Sequence, residues 1–527
     1  VSTGGTMPKL LDGIVSSKGS EVAVTDEYGK TTWQEFDNRV RRLINGLKTS
    51  GIGPGDTIAM MMGNRRECFE IFQAAAHLGV TYVPVNWHWV ADELAYVLDD
   101  ADVKALLVGE RFTDIALDAL SDNRAERVDL SIVVGGKCEG LNDYEEFLAS
   151  SSTDDLPENE QLLGGPMFYT SGTTGRPKGV RGSLSGGGEI PTEIMQLMGA
   201  SMENYVPSGG RSLLVGPVYH SAQWAFTFMP MVNGSSVVMR HKFDGAETVQ
   251  LIDSEEITNI HLVPTQFKRM LDADPKIKER FSGASLDAVW HGAAPCPASW
   301  KKSMLEWFGP KVHEYYGSTE GAFISTIRAD DWLQKGGSVG KPVETVEVIV
   351  VDDEGQRVEE PNASGTLYFR NLMGTDFEYH KAPEKTAEAH LEPGVFTTGD
   401  IGYLDDDGYL WLSDRKIDMI ISGGVNIYPA EIEAVIAEHN GVADVSVIGV
   451  PNEEFGEEVK AIIECSEKFT GDEDFTREIL QLCNDKLAGY KRPKSIDFID
   501  ELPRTGTGKI LKRTLREPYW ADHDRKI

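Results

Sequence analysis

The sequence predicts an α/β fold, with a large N-terminal multi-sheet α/β domain followed by a small C-terminal α+β domain. Three observations carry this reading. Apolar strands and amphipathic helices alternate in the first hundred residues, the same rhythm resumes after residue 200, and the texture changes after Asp414-Arg415-Lys416-Ile417-Asp418. A chain of 527 residues exceeds one ordinary core and suggests two to four domains, at roughly one per 100–200 residues.

The elements follow in order. Thr32-Trp33-Gln34-Glu35 has the spacing of a capping box, and Phe36, Val40, Leu43, Ile44 and Leu47 recur at helical period until Gly51 stops the helix. Residues 57–62 read as a buried strand, 67–78 as a helix and 80–85 as a second strand, an alternation that implies parallel βα units. Further strands are expected near 212–215, 236–239 and 259–263, and no repeat of fixed period is present. A short strand over 395–397 is expected to end at Asp400. Beyond residue 418 come short elements, with Pro429 at a first helical position, Glu431 and Glu433 in that first turn, and Ile432, Val435 and Ile436 facing inward. A basic tail, 509–516, closes the pattern.

Composition narrows the function classes. Hydrophobic residues at 40% and charged residues at 26% are ordinary for a folded chain and leave no disordered half. The net charge of -33, from 84 acidic and 51 basic residues, repels phosphate backbones and anionic membranes, which excludes nucleic acid as a partner. A site for an anionic ligand must therefore gather its Lys, Arg and backbone amides locally. The acidity also fits a salty habitat. Five cysteines, Cys68, Cys138, Cys296, Cys465 and Cys483, are odd in number, far apart and without metal-ligand spacing, as in a reducing cytoplasm. No run approaches eighteen apolar residues and the first residues lack a signal layout, so a cytoplasmic protein without integral membrane association is expected.

The most informative segment is Tyr169-Thr170-Ser171-Gly172-Thr173-Thr174-Gly175-Arg176-Pro177-Lys178-Gly179-Val180. Glycine lets the backbone turn its amides toward one point. Successive amides with the hydroxyls of Thr170, Ser171, Thr173 and Thr174 make a nest for polyphosphate, to which Lys178 adds a full charge. By composition alone a flexible surface loop is an equal reading, but the ordered string is more specific than its composition. A Walker A loop is absent.

This string resembles the signature loop of the adenylate-forming superfamily, which contains acyl-CoA synthetases, adenylation domains of peptide synthetases and beetle luciferases. Trp290-His291-Gly292-Ala293-Ala294-Pro295, Tyr315-Tyr316-Gly317-Ser318-Thr319-Glu320, Thr398-Gly399-Asp400, the Arg415 region and Pro503-Arg504-Thr505-Gly506-Thr507-Gly508-Lys509 match later family motifs in the family's order. The resemblance spans nearly the whole chain and is strongest to AMP-forming acyl-CoA synthetases.

The resemblance implies attack of a carboxylate on the α-phosphorus of ATP with loss of pyrophosphate, a reaction driven by alignment of anions and neutralisation of charge. It makes Glu320 the Mg²⁺ ligand, Thr319 an α-phosphate contact, and Tyr316 the ring packed on adenine, with Gly292, Ala293, Ala294 and Pro295 on the other side. Alone, Tyr316 reads as a core aromatic. Asp400 and Arg415 become the ribose contacts, and Lys509, on the flexible lead Gly506-Thr507-Gly508, the catalytic adenylation lysine.

The resemblance further divides the chain into residues 1–414, a hinge at 415–418 and a mobile small domain at 419–527 that rotates between two half-reactions. The pivot falls on Ile417, where the family generally carries Lys or Asp. For transfer to coenzyme A, Gly423 and Gly424 resemble the turn lining the pantetheine channel, and Arg492 and Lys494 match positions that meet its phosphates; a plain solvated basic patch is the alternative. The acyl pocket is expected among His220, Gln223, Trp224, Phe226, Trp290, His291 and Gly317, whose bulky rings favour a medium-chain, branched or ring-bearing acid over a long straight one. His220 reads either as a gate or as a structural residue. The expected cofactors are ATP, Mg²⁺ and coenzyme A, the expected partner is a small-molecule carboxylic acid, and the chain is a monomer or homodimer. The competing functions are an enzyme loading a carrier-protein thiol, a luciferase-like oxygenase and a non-catalytic nucleotide-binding protein.

Overall fold

The structure is a computed structural model. It describes residues 9–157, 160–170, 177–182, 193–207, 209–352, 354–415, 418–422, 425–452, 455–467, 469–487, 489–504 and 510–521. Its first long helix, Trp33–Thr49, begins as the sequence requires: the Glu35 N–H donates to the Thr32 hydroxyl, and the Thr32 N–H donates back to the Glu35 carboxylate at 2.8 Å. Trp33, Phe36, Val40, Leu43, Ile44 and Leu47 are all buried along one face. Gly51, at φ 81°, turns the chain away from the helix end.

The next elements build a five-stranded parallel sheet in the order Thr81–Pro84, Thr57–Met61, Val103–Gly109, Leu130–Val134, Asn142–Asp143. The helix Arg66–Leu78 links the first two of these in sequence and ends at Gly79 in the left-handed region. The second half of the large domain forms a nine-stranded sheet. Its parallel centre holds Val22–Asp26, Ser236–Met239, Arg211–Leu214, Asn259–Leu262, Ala288–His291 and Val312–Ser318, with antiparallel strands added at both ends.

Alternation along these strands shows how the sheets stack. Met60 and Leu107 of the smaller sheet share a core with Leu214, Val237 and Trp290 of the larger one, and the helices Trp33–Thr49, Arg66–Leu78 and Ser221–Met231 lie within that core. Met61 and Val108 face outward onto the helix Ala91–Asp100, while Leu213, Val238 and Val289 face Phe267, Met304 and Phe308 on the opposite outer layer. The result is five layers, α/β/α/β/α. Phe69, Phe72, Phe226 and Phe228 are fully enclosed in the middle layer, where each stabilises the stack by about 1.5–3 kcal/mol.

Two smaller sheets complete the large domain. Phe168–Thr170, Lys178–Gly182 and Phe377–Tyr379 form a three-stranded antiparallel sheet, and the other strands from Val346 to Arg415 form a six-stranded one. Here one expectation is corrected. Asp400 does not end the strand that precedes it, because Val395–Phe396 stops early, Gly399 turns at φ 80°, and Asp400 opens the strand Asp400–Leu404.

The small domain is a five-stranded sheet centred on Val442–Asn452 and Gly456–Cys465, covered by the helices Pro429–Ile436, Glu473–Lys486 and Lys512–Trp520. Pro429 is the first helical residue, and Ile432 and Ile436 are fully buried, with Val435 half-buried beside them. Glu433 lies past the first turn. It accepts from the Val447 N–H at 2.7 Å and pairs with Lys512 at 2.8 Å, so it ties helix to sheet and to the last helix. All five cysteines are free, and among the described residues no helix is long and apolar enough to cross a membrane.

Candidate active site

The phosphate-loop candidate is a hairpin closed at its base. Thr170 pairs with Lys178 across the two strands, so the two ends of the loop string are held side by side. Helix Ala91–Asp100 holds both sides of that stem: the Tyr169 hydroxyl donates to Asp100 Oδ2 at 2.5 Å, and the Tyr96 hydroxyl donates to the Pro177 carbonyl at 3.2 Å. Ser171, Gly172, Thr173, Thr174 and Gly175 lie outside the described residues.

Lys178 points from the stem toward the turn that carries Glu320. Its Nζ sits 5.2 Å from the centre of the Tyr379 ring, and the Tyr379 hydroxyl donates to Glu320 Oε1 at 3.0 Å. Burial and the neighbouring Lys385 lower the Lys178 ammonium below its ordinary value, while Glu388 and Glu320 pull the other way. Two ammonium groups side by side next to a carboxylate make a place where polyphosphate relieves repulsion. Among the described residues no three His, Cys, Asp or Glu side chains converge on one point.

Thr319, beside Glu320, has its Oγ1 3.1 Å from Ser221 Oγ, which joins the turn to the start of helix Ser221–Met231. On the adjacent strand Tyr316 donates to the Asp400 carboxylate, and Thr398 Oγ1 donates to the same oxygen, Oδ2, at 2.7 Å. Asp400 is cross-strand partner to Arg415, so the register alone places both ribose candidates at one level of the sheet. The Tyr316 ring stands edge-on to Phe369 at 5.9 Å. Close approach explains two glycines: a Cβ on Gly292 lies 2.7 Å from Tyr315, and one on Gly317 lies 2.0 Å from the Ala322 carbonyl oxygen. Gly317 is therefore demanded by its own hairpin, whatever lies in the pocket. Ala293 holds φ 68°, a left-handed conformation that costs a non-glycine residue and marks this loop as constrained. Ala294 and Pro295 continue the loop at the surface.

The acyl-pocket residues separate. Trp290 and Phe226 meet at 6.1 Å in an aromatic cluster with Tyr205, His261, Tyr315 and Phe323. His291 is corrected out of this cluster, because the next residue on a strand faces the other side. It packs against Phe267 at 4.9 Å, 3.5 Å from Glu314, which in turn holds the buried Lys301 at 2.7 Å. Burial pushes His291 well below its ordinary pKa. Trp224 lies around the helix from Phe226, against Phe168 and Phe228. His220 is the residue before the first helical turn and is half-buried.

In the small domain Lys509, the pivot Ile417, and Gly423 and Gly424 lie outside the described residues. Arg492 donates to the Leu487 carbonyl at 2.9 Å and the Asn484 carbonyl at 3.0 Å, closing the end of helix Glu473–Lys486. Lys491 is held by Glu431, which leaves Lys494 as the exposed cation of the basic knot.

Sequence reasoning missed Tyr379 and Lys385. They sit in a stretch without a nest or motif, and only the pairing of Phe377–Tyr379 with Lys178–Gly182 brings them to the phosphate loop. It also missed His261, a lone histidine on a central strand whose neighbours become visible only once the sheet is assembled.

A two-domain α/β body, a clamped hydroxyl-rich hairpin and a buried aspartate beside a tyrosine define the class of adenylate-forming enzymes. The chain belongs to the AMP-binding enzyme family: residues 13–374 match that family and residues 431–509 match its C-terminal domain. It is 34% identical over 499 residues to indoleacetate–CoA ligase of Aromatoleum aromaticum, with 92% of each chain covered. It is 31% identical over 529 residues to a propanoyl:CoA ligase of Rhodococcus jostii whose acyl group carries a methyl-dioxo-octahydroindenyl ring, covering 97% of this chain and 98% of that one. ATP-bound MatB from Rhodopseudomonas palustris superposes with a TM-score of 0.81 at 26% identity, over 98% of this chain and 100% of the other.

Proposed function

We propose that this enzyme is an AMP-forming acyl-CoA synthetase for a medium-chain, branched or ring-bearing carboxylic acid. The observation that carries the reading is the convergence of Lys178, Tyr379 and Glu320 at one end of the Ser221–Thr319 contact. It sets cations for a polyphosphate beside the head of the aromatic cluster that would take the acid. The ring-bearing acids in the names of the two CoA ligase relatives support the same choice.

In the first half-reaction an oxygen of the carboxylate bonds to the α-phosphorus of ATP, and the bond to the bridging oxygen of pyrophosphate breaks. Lys178 and Lys385 hold the departing phosphates, Thr319 orients the α-phosphate, and Glu320 with phosphate oxygens holds Mg²⁺, which supplies charge neutralisation when bound. Asp400 and Arg415 fix the ribose, while Tyr316 and the loop from Gly292 to Pro295 enclose the adenine. Lys509, between the carboxylate and the α-phosphate, offsets charge that grows during attack. In the second half-reaction the small domain, 419–527, turns about Ile417. The thiol of coenzyme A loses its proton and bonds to the acyl carbon, and AMP departs. Gly423 and Gly424 admit the pantetheine arm and Lys494 meets a phosphate.

The test combines ATP, Mg²⁺ and a panel of carboxylic acids with and without coenzyme A, for the parent and Lys509→Ala. AMP release that needs coenzyme A is expected, with acid-dependent pyrophosphate exchange at least a hundredfold slower in the variant. Adenylate that accumulates regardless of coenzyme A overturns the thiol step, and exchange within about threefold of the parent overturns the role of Lys509.

A further inference from the structure

A polar chain that adenylation does not use adjoins the aromatic cluster through His261. Gln223, two residues into the helix that Ser221 ties to Thr319, is 3% exposed. Its Nε2 lies 2.9 Å from Nδ1 of His261, and Nε2 of His261 lies 3.0 Å from the Tyr315 hydroxyl. An amide N–H donates, so His261 accepts on Nδ1, carries its proton on Nε2 and donates to Tyr315. Burial lowers His261 to a pKa of about 3, and its ring stacks on Phe226 at 4.9 Å and 23°. The ring is neutral at working pH and cannot turn over without unstacking.

The other end of the amide is left over. Gln223 Oε1 is buried and has no hydrogen-bond partner among the described residues. The amide is also placed deliberately: a Cβ on Gly216 falls 2.3 Å from its Nε2, so only glycine there leaves the room it occupies. A buried carbonyl oxygen on a rigidly held amide costs free energy while it lacks a donor, and a donor on a ligand offsets that cost.

We propose that Gln223 is a specificity residue that accepts a hydrogen bond from a hydroxyl or N–H group on the ring of the acid, with His261 and Tyr315 as positioning residues. This rests on the acyl-adenylating reading above and narrows its substrate class to ring-bearing acids with a polar donor on the ring. An acid with an apolar ring of equal size enters the same cluster but leaves Oε1 unpaired, and sites built around such a group discriminate strongly against ligands that lack the partner.

The experiment measures kcat/KM for acid-dependent pyrophosphate exchange with phenylpropanoic and indolylalkanoic acids. Hydroxyl-bearing rings are paired with their methyl counterparts at each ring position, and the indole N–H with its N-methyl form. In the parent, at least one donor-bearing acid is expected to exceed its methyl counterpart by on the order of a hundredfold. In Gln223→Met, close in size, the ratio for that pair is expected to fall to within about threefold, and Tyr315→Phe, which frees the histidine, to give an intermediate ratio. A ratio near one for every pair in the parent, or an unchanged ratio in Gln223→Met, overturns the proposal. Exchange with none of these acids also overturns the proposal, whereas exchange with no acid of the wider panel above overturns the adenylating reading.

Discussion

At the residue scale, the site depends on which oxygen of each carboxylate is already engaged. Asp400 is 8% exposed and receives the Tyr316 and Thr398 hydroxyls on one oxygen, Oδ2. Those two donors hold the carboxylate in a fixed plane before any ligand arrives. Tyr316→Phe keeps the ring and removes one donor, a loss of about 1 kcal/mol for a neutral donor and somewhat more to a charged acceptor. The expected result is a KM for ATP roughly five- to tenfold higher with kcat nearly unchanged. Asp400→Ala removes the acceptor itself and is expected to raise it by well over tenfold. Steady-state kinetics with varied ATP checks both, and a KM for ATP in Tyr316→Phe equal to the parent's would show that Tyr316 acts through its ring alone.

At the scale of elements, the hairpin Phe168–Thr170 and Lys178–Gly182 is gripped by helix Ala91–Asp100 from both sides, at Tyr169 and at Pro177. A phosphate loop works by presenting its amides in one geometry, so loosening the stem weakens binding without touching a ligand atom. Tyr169→Phe is expected to raise the KM for ATP about tenfold while the KM for the acid moves less than twofold, since the lost contact is a charge-assisted bond of about 1.5–3 kcal/mol in a buried setting. Equal changes in both constants would point to a general loss of structure. The same elements show what the sequence could reveal. The loop string, the capping box at Thr32 and the strand alternation were legible because each is local: spacing alone determines it. The grip on the stem was not legible, because Tyr96, Asp100, Tyr379 and Lys385 meet the loop only through sheet pairing and helix packing across tens or hundreds of residues. Trp290 and His291 show the same limit: a motif names two neighbours, and the pleat then sends them to opposite faces.

For the whole molecule, two opposing electrostatic loads set the conditions of stability. The net charge of -33 repels itself over distances that salt shortens from about 30 Å at 0.01 M to about 3 Å at 1 M. The thermal midpoint is expected to rise with added salt over that range, and a falling midpoint would show that surface ion pairs outweigh self-repulsion. The second load is buried. His77 and His313 are pushed down to about 4 and His261 to about 3, in each case chiefly by burial. Unfolded, these rings take a proton near pH 6.5, while in the folded chain they stay neutral until near pH 4. Between those values the unfolded state binds more protons, so the folded state is fully favoured above about pH 6.5 and loses stability as pH falls toward 4. Asp37 and Glu70, raised by burial, act in the opposite sense, because the folded chain protonates them first. A single variant isolates one term. His77 accepts from the Leu10 N–H at 3.4 Å on Nε2 and donates from Nδ1 to the Gln73 carbonyl at 2.7 Å. His77→Gln keeps a polar group there and removes the titration. The slope of unfolding free energy against pH, measured by denaturant titration between pH 5 and 6, is expected to flatten by about 1 kcal/mol per pH unit, and an unchanged slope would show that His77 is protonated in the folded protein as readily as in the unfolded chain.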